Sequence, residues 1–329
     1  MLVERIKSKM KQQYQKRELI PVFFAVDDNY ARYLCVTLQS LIDNSSIDNI
    51  YEINILIEEL SEQNKNGILA MQTDNVNIRF VSVTEKLRAI CQKLHMRDYY
   101  TKATYYRFFI PELFPEYDKG LYLDCDIVLT ADAAELYHTE LGDNYIAAIP
   151  EEFITDVEVF GLYSEKVLGV PRQEYINAGI LVMSLDMMRR VHIKEQFAEL
   201  LEKVTYRVAQ DQDYLNVICK DKTVILDKTW NRTPMPYADR SITPKIAHYK
   251  INFKPWKFDD IPFGELFWEY AKKTPYYGEL LEYKTGYGED LRLRDKKQYE
   301  DLVRLALSEI DEKEREQEIF DDAMLFAVK

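Results

Sequence analysis

The stretch Lys119-Gly120-Leu121-Tyr122-Leu123-Asp124-Cys125-Asp126-Ile127-Val128-Leu129 decides how this chain folds. Its apolar run, Leu121 to Leu123, is typical of a strand buried on both faces of a parallel sheet. The run ends abruptly in Asp124 and Asp126. Carboxylates are costly to bury without compensation, and ligands bind at the carboxyl ends of strands in open α/β sheets. The pattern therefore predicts a bound cation at this point.

The spacing of the two acids supports that prediction. Residues i and i+2 of an extended segment point the same way, so Asp124 and Asp126 are able to approach one ion together. Carboxylate oxygens favour Mg²⁺ or Mn²⁺. The alternative is an incidental triplet in an acidic protein, because the chain has a second one at Asp211 and Asp213.

Composition limits the fold class and the partners. The 329 residues suit one large α/β domain with appendages, or two domains, and 47% apolar residues are ample for a core. A general nucleic-acid binder needs basic surface, whereas the net charge here is −13. We therefore expect no nucleic-acid partner, and any acidic ligand has to be held locally.

The N-terminal sequence bears on localisation. No run approaches the length of a membrane span, and the first residues lack the apolar core of a signal peptide, so we expect a cytoplasmic protein. Residues 1–18 carry six Lys or Arg against two Glu, which predicts a basic helix over residues 1–19. A solvated helix is one interpretation, and peripheral contact with the anionic inner face of the membrane is the other.

The cysteines are far apart in the sequence and form no C-x-x-C pair. They are Cys35, Cys91, Cys125 and Cys219. This spacing favours reduced, buried thiols over a disulfide framework or a zinc site.

Strand-like and helix-like patterns alternate after residue 19, which predicts a mostly parallel sheet with right-handed crossovers. The predicted strands are 20–26, 53–57, 76–83, 121–123 and 143–150, and the predicted helical segments are 30–42, 61–71 and 104–113. Beyond residue 258 the composition shifts to Tyr, Glu and Lys. We expect a helical appendage over 259–329, with connectors such as 280–287 and a charged helix at 299–320.

The turn after the first strand, Asp27-Asp28-Asn29, lacks the glycine-rich fingerprint of a dinucleotide site. The side chains of Asp27 and Asn29 are suited to reading the edge of a base, because a carboxylate accepts an N–H and an amide supplies both functions. Helix capping is the alternative interpretation of the same residues.

Three further places carry polar groups at positions that need explaining. Arg107 lies among aromatic residues and requires an anion, supplied either by a structural salt bridge or by a ligand. Asn177-Ala178-Gly179 opens an apolar run, and its small residues allow a ligand or backbone to approach closely. Gln210-Asp211-Gln212-Asp213 holds more polar groups than a helix cap requires, which favours sugar binding.

The second strong motif is His248-Tyr249-Lys250-Ile251-Asn252-Phe253-Lys254-Pro255-Trp256. A lone histidine is usually structural, but His248 follows a short apolar strand and precedes Lys254 by six residues. An imidazole that completes the two-carboxylate set, with an ammonium for phosphate oxygens, makes one coherent diphosphate site.

Taken in order, the chain resembles the family-8 retaining glycosyltransferases, which include glycogenin and bacterial lipopolysaccharide galactosyl- and glucosyltransferases. The resemblance spans about residues 20–258. It rests on the blocks FFAVDDNYARYLCVTLQSL, ATYYRFF, YLDCDIVL, YINAGILVMSL, QDQDYLN and HYKINFKPW. It implies the nucleotide-sugar-binding α/β fold called GT-A over 20–258.

The resemblance also implies roles for individual residues. A UDP-hexose donor, carrying glucose or galactose, would bind with Mn²⁺, and the acceptor would be a saccharide, glycolipid or glycoprotein. The implied metal ligands are Asp124, Asp126 and His248. The implied contacts to uracil or ribose are Ala25, Asp27 and Asn29, with Asp124 and Lys254 at the diphosphate, and those to the donor sugar are Arg107, Asn177, Asp211 and Gln212.

Two positions depart from the family pattern. Where the family usually has glycine three residues after the histidine, this chain has Ile251, which implies a different loop path or a tighter pocket. Where galactosyltransferase members have an aspartate, this chain has Glu151, which leaves the choice of sugar open.

Two other functional classes make different predictions. A nucleotidyltransferase on a related sheet would normally show a glycine-rich basic loop after the first strand, and Asp27-Asp28-Asn29-Tyr30 is the opposite. A non-catalytic nucleotide-sugar-binding protein predicts a lost metal set, whereas all three ligands remain.

Overall fold

The computed structural model describes residues 17–84, 102–236 and 238–327, which form an α/β fold. The strands are β1 (Glu18–Ala25), β2 (Asn49–Ile57), β3 (Val76–Ser82), β4 (Lys119–Leu123), β5 (Ile127–Leu129), β6 (Ile146–Pro150), β7 (Ile176–Ser184), β8 (Thr223–Ile225) and β9 (Ile246–His248).

Helices of varied length connect these strands. The α-helices are α1 (Ala31–Asp43), α2 (Glu62–Leu69), α3 (Ile110–Leu113), α4 (Ala133–Tyr137), α5 (Glu152–Asp156), α6 (Glu158–Tyr163), α7 (Leu185–Arg190), α8 (Ile193–Lys203), α9 (Asp211–Ile218), α10 (Gly264–Ala271), α11 (Tyr277–Thr285) and α12 (Glu289–Ala327). A π turn covers Ser164–Leu168, and 3₁₀ helices cover Lys102–Phe109 and Lys228–Asn231.

The main sheet is mostly parallel, as predicted. Within the described residues its strand order is β3-β2-β1-β4-β7-β6-β8. Neighbouring strands are parallel except at β7, which runs antiparallel to both β4 and β6. A separate antiparallel pair, β5 with β9, lies beyond the end of β4 and brings the two motif regions together.

Successive side chains of β1 and β4 point to opposite faces of the sheet, and both faces are buried. Val22 and Leu121 pack in the core on one face, while Phe23 and Tyr122 pack in the core on the other. All four side chains are almost completely excluded from solvent. The prediction that the apolar run 121–123 is a strand buried on both faces is confirmed.

Helix α1 holds the acidic turn in place. Its buried stripe includes Leu34, Leu38 and Leu41, as the periodicity predicts. On the same helix, the Thr37 hydroxyl lies 2.8 Å from the Cys125 carbonyl oxygen and 2.7 Å from that of Ile127. Because Cys125 lies between the two acids and Ile127 begins β5, Thr37 fixes the path of the chain through the acidic turn.

The C-terminal region differs from its prediction in two respects. Residues 280–287 are predicted as a connector, but helix α11 covers most of them. The helical conformation buries Leu280 completely in the hydrophobic core, which stabilises a helix here. The connection itself is limited to residues 286–288. The charged helix α12 begins at Glu289, ten residues before the predicted start at residue 299.

At the N-terminus, Glu18 and Leu19 belong to β1, so the predicted basic helix does not reach residue 19. Residues 1–16 of that helix lie outside the described residues, as does Cys91. The other three cysteines are buried and free, which confirms the prediction of buried thiols for Cys35, Cys125 and Cys219.

We predict that Thr37→Val lowers the free energy of unfolding by about 1–3 kcal/mol, because the isosteric side chain leaves buried carbonyls without their donor. Urea unfolding followed by circular dichroism measures the change. Thr243→Val, at an exposed position, serves as the control and should stay within about 0.5 kcal/mol of the unsubstituted protein. Equal values for the two variants would contradict the role assigned to Thr37.

Candidate active site

The two acids and the histidine meet at the carboxyl end of β4. The pairing of β5 with β9 places Ile127 opposite His248, so the imidazole lies beside the acidic turn. Its Nε2 is 3.2 Å from Asp126 Oδ1 and 3.7 Å from Asp124 Oδ2. One potential ligand atom from each of the three residues lies within 4.8 Å of the others.

A hydrogen bond from the far side of the ring orients the histidine. His248 Nδ1 lies 2.9 Å from Asn231 Oδ1, and because an amide oxygen only accepts, Nδ1 carries the hydrogen. In the neutral imidazole, Nε2 then presents its lone pair to the carboxylates. A lone pair facing two carboxylates fits a divalent cation, and such orientation is typical of metal-binding histidines. Sequence analysis missed Asn231, whose role depends on a contact across 17 residues.

Gly179 makes the cluster possible. A Cβ atom at this position of β7 would lie 2.3 Å from Asp124 Oδ2 and 2.6 Å from His248 Cε1. The Gly179 carbonyl also accepts a hydrogen bond of 2.8 Å from the Asp124 backbone N–H. The groups that approach Gly179 closely are the side chains of the candidate metal ligands, whereas the approach of a bound molecule to residues 177–179 stays a prediction.

Lys254 lies beside the cluster. The residue is 4% exposed, and its ammonium forms an ion pair with Asp126. Burial by itself would raise the pKa of Asp126, but the positive charge of Lys254 holds that pKa well below its ordinary value. The carboxylate is therefore charged, and a second positive group lies next to the candidate metal site.

Arg107 satisfies its charge within the protein. Its Nε lies 3.1 Å from Asp211 Oδ2, and its terminal nitrogen Nη2 lies 3.5 Å from Asp124 Oδ1. The guanidinium also lies 4.3 Å from the centre of the Tyr122 ring. Of the two interpretations of Arg107, the salt bridge is thus present. Burial raises the pKa of Asp211 to about 6, against the opposing effect of Arg107.

The remaining polar groups form a connected chain, which we call the Glu151 network. Gln212 Oε1 accepts hydrogen bonds from Asn177 Nδ2 at 3.1 Å and from the Ala178 backbone N–H at 3.0 Å. Asn177 Nδ2 also donates to Glu151 Oε2 at 2.7 Å, and Lys250 forms an ion pair of 2.5 Å with Glu151 Oε1. Lys250 was missed from sequence, because only the fold shows that its partner is Glu151.

The second D-x-D triplet divides into two roles. Asp211 faces the cavity, whereas Asp213 is completely buried and accepts hydrogen bonds from Tyr163 and Tyr175 at 3.0 and 2.7 Å. Tyr175 in turn accepts from Gln212 Nε2 at 3.2 Å. Asp213 therefore anchors the start of α9 and fixes the side on which Gln212 lies.

The turn after β1 serves partly as a cap. Asp27 Oδ1 accepts a hydrogen bond of 3.0 Å from the Tyr30 backbone N–H, and Asp28 binds the backbone N–H of Ser61 at 2.9 Å. Asn29 is exposed, and among the described residues the cavity wall includes Asp27 and Tyr30 but not Asn29. The capping interpretation of Asp27 is thus present in the structure, and base recognition stays a prediction.

One cavity joins these groups. Including its open mouth it measures about 1220 Å³. The predicted residues that line it are Ala25, Asp27, Arg107, Asp124, Asp126, Asn177, Asp211, Gln212, His248 and Lys254. Further residues of its lining include Tyr30, Tyr122, Glu151, Phe153, Ala178, Gly179, Lys250, Ile251 and Leu302.

Ile251 replaces the family glycine without changing the type of backbone conformation. Its φ is +53°, the left-handed region that glycine favours, which costs a branched residue roughly 1–2 kcal/mol. The loop therefore still has the conformation that glycine favours. Ile251 lines the cavity, and a tighter pocket than with glycine stays a prediction.

Among the described residues, none of the helices combines the length and apolarity needed to cross a bilayer.

Comparisons with known proteins agree with this geometry. A putative glycosyltransferase of Haemophilus influenzae is 29% identical over 249 residues, covering 71% of this chain and 72% of that protein. The lipopolysaccharide 1,3-galactosyltransferase of Salmonella typhimurium is 24% identical over 278 residues, covering 80% of this chain and 81% of that protein. The solved galactosyltransferase LgtC, in complex with donor and acceptor sugar analogues, is 28% identical with a TM-score of 0.69, covering 79% of this chain and 99% of that chain.

The structural likeness identifies the architecture as the GT-A type predicted from the sequence. The profile described as Glycosyl transferase family 8 matches residues 21–260, which is most of the 329-residue chain. The chain therefore belongs to glycosyl transferase family 8.

Proposed function

We propose that this chain is a metal-dependent retaining hexosyltransferase that moves glucose or galactose from a UDP-sugar to a saccharide, glycolipid or glycoprotein acceptor. The observation that carries the proposal is the cluster of Asp124, Asp126 and His248 around Gly179, in one cavity with Lys254 and Gln212. A hexose is supported by the galactosyltransferases among the relatives.

The metal of the proposal is Mn²⁺, with Mg²⁺ as the second choice, held by Asp124, Asp126 and His248. Two carboxylate oxygens and an imidazole nitrogen suit Mn²⁺, because nitrogen ligands are less typical of Mg²⁺. When bound, the ion would act as a Lewis acid that stabilises negative charge on a diphosphate leaving group. The ammonium of Lys254, paired with Asp126, lies beside the same place and would stabilise the same negative charge.

The Glu151 network assigns a task to Gln212. Both heteroatoms of its amide are hydrogen-bonded to the protein, so the side chain is held in one orientation. An amide is a poor nucleophile, and Asp211 is paired with Arg107. We therefore propose that Gln212 stabilises the developing cation of the donor sugar, while Asp211, Arg107 and Asn177 orient its hydroxyls.

The anomeric configuration is then retained because the acceptor attacks the donor sugar on the face from which the phosphate departs. The bond from the anomeric carbon to the phosphate oxygen breaks, and the acceptor oxygen forms its bond to that carbon on the same face. The acceptor's proton passes to the departing phosphate oxygen. This route requires no protein nucleophile, which agrees with an amide at position 212.

The nucleoside would lie beside Ala25 and Asp27, where the cavity meets the end of β1. Asn29 would contact the base after its exposed side chain turns towards the cavity. Residues 20–258 are proposed as the catalytic unit, supported by the family match over 21–260. For a glycolipid acceptor, the basic residues near the N-terminus would favour the inner face of the membrane.

We predict that Gly179→Ala weakens Mn²⁺ binding on the order of 10–100-fold, because its Cβ displaces Asp124 and His248. Electron paramagnetic resonance of free Mn²⁺ measures the affinity. Gly278→Ala is the matched control, since a Cβ there meets no atom within 4 Å among the described residues. Unchanged binding in Gly179→Ala would refute the metal assignment.

Base recognition is tested with nucleotides. In the presence of Mn²⁺ we expect UDP to raise the Tm more than equal concentrations of GDP or ADP, because the turn at Asp27 is proposed to read uracil. Asp126→Asn should lose the Mn²⁺-dependent part of the shift. Equal Tm shifts for the three nucleotides would count against a uracil site.

The proposed stereochemistry requires an α-linked product from α-linked UDP-glucose or UDP-galactose, which NMR of the product distinguishes. Gln212→Ala should lower kcat on the order of 10²-fold with a smaller effect on donor KM. Gln173→Ala, at an exposed position, is the control. A β-linked product would exclude retention, and a glycosyl adduct trapped on Asp211 would exclude the same-face route.

A further inference from the structure

The C-terminal helices contact the loop that carries Lys254. Asp295 of α12 is 4% exposed, and its carboxylate binds Lys257 Nζ at 2.9 and 3.2 Å. The same carboxylate accepts a hydrogen bond of 2.5 Å from the hydroxyl of Tyr287, between α11 and α12. We call Lys257, Tyr287 and Asp295 the Asp295 clamp.

Further contacts run along the same loop. Asn252 Nδ2 donates to the Asp295 carbonyl oxygen at 3.4 Å, and the Phe258 ring packs edge-on against Tyr287 with centroids 5.7 Å apart. Lys284 of α11 forms an ion pair of 2.8 Å with Asp259. The loop is therefore held by the helices on both sides of Lys254.

Backbone hydrogen bonds connect the clamp to Lys254. The backbone N–H groups of Lys257 and Phe258 donate to the Lys254 carbonyl oxygen at 2.9 and 3.1 Å. Lys254 and Lys257 thus belong to one hydrogen-bonded turn. Moving Lys257 would move the ammonium that is paired with Asp126.

The low solvent exposure of the clamp indicates that it fixes a geometry. Asp295 is buried and the Lys257 side chain is 16% exposed, and ion pairs removed from water in this way are often no more stable than apolar packing. Burial and the nearby Lys254 charge lower the pKa of Lys257, while Asp295 opposes that decrease. An arrangement of this kind is better explained by the geometry it fixes than by the stability it adds.

Helix α12 also reaches the cavity directly. Leu302 lines it, and Tyr299 packs edge-on against Phe153, another lining residue, with ring centroids 5.9 Å apart. The helix is tied to the rest of the protein by ion pairs such as Arg207 with Glu309 at 2.5 Å. It is therefore part of the wall of the site.

We propose that the Asp295 clamp positions Lys254, so that the C-terminal helices form part of the donor-phosphate site. The inference rests on the proposed function, because it takes Lys254 to bind the diphosphate. Asp295, Lys257 and Tyr287 are positioning residues that act through Lys254 and do not themselves contact the donor.

The test compares UDP with uridine, which lacks the phosphates, in the presence of Mn²⁺. Tyr287→Phe removes one hydroxyl and Lys257→Met removes one charge. Each should weaken UDP binding about tenfold while changing uridine binding less than about twofold. Lys313→Met, an exposed substitution on α12, should leave both affinities unchanged. Calorimetry gives the UDP affinity, NMR gives the uridine affinity, and thermal unfolding verifies that each variant is folded.

A double-mutant cycle separates positioning from a general structural effect. In a Lys254→Met background, Tyr287→Phe should cause little further loss of UDP affinity, because the group that it positions is already absent. Additive losses, or equal losses for UDP and uridine, would overturn the proposal. If the unsubstituted protein bound no UDP with Mn²⁺, the proposed function would fail and this inference with it. If it bound UDP and the Tyr287→Phe and Lys257→Met variants matched it, only the clamp would be refuted.

Discussion

Two carboxylates and the lone pair of an imidazole face one another within 4.8 Å, an arrangement that is unfavourable without a positive charge among them. The surrounding structure makes this approach possible. Gly179 provides space, Asn231 fixes the imidazole, and Thr37 holds the turn that follows Asp124. Lys254 supplies part of the compensating charge. The position of the cluster determines where the rest of the cavity must place its polar groups.

Charge compensation extends outwards from that cluster in two directions. Arg107 links Asp124 to Asp211 on one side, and Lys250 neutralises Glu151 on the other. In a chain with a net charge of −13, the buried cations Arg107, Lys250 and Lys254 thus all line one cavity. The pairings also keep the polar side chains of the cavity in single orientations before any ligand arrives.

The C-terminal helices show that the boundary of a family match is not the boundary of a site. The profile ends at residue 260, yet Asp295 holds the loop of Lys254 and Leu302 lines the cavity. Both contacts join residues far apart in the sequence. Residues inside and beyond the family match thus contribute to the wall of one cavity.

The sequence by itself determined the features that depend on local pattern. The apolar run before Asp124 predicted a strand buried on both faces, and the leucines of α1 predicted its buried stripe. The spacing of the two acids predicted that they share one ion, and the motif around His248, with the family resemblance, added the histidine. Tertiary structure alone decided the features that depend on which distant groups meet. The antiparallel direction of β7 follows from strand pairing, which local pattern does not encode. The ion pair of Glu151 with Lys250 joins residues separated by 99 positions. Helix α11 is stabilised by the burial of Leu280 in a core that distant segments provide. Local pattern fixes the conformation and the buried face of a segment, whereas burial against distant partners fixes which polar groups are paired and which remain available to a ligand.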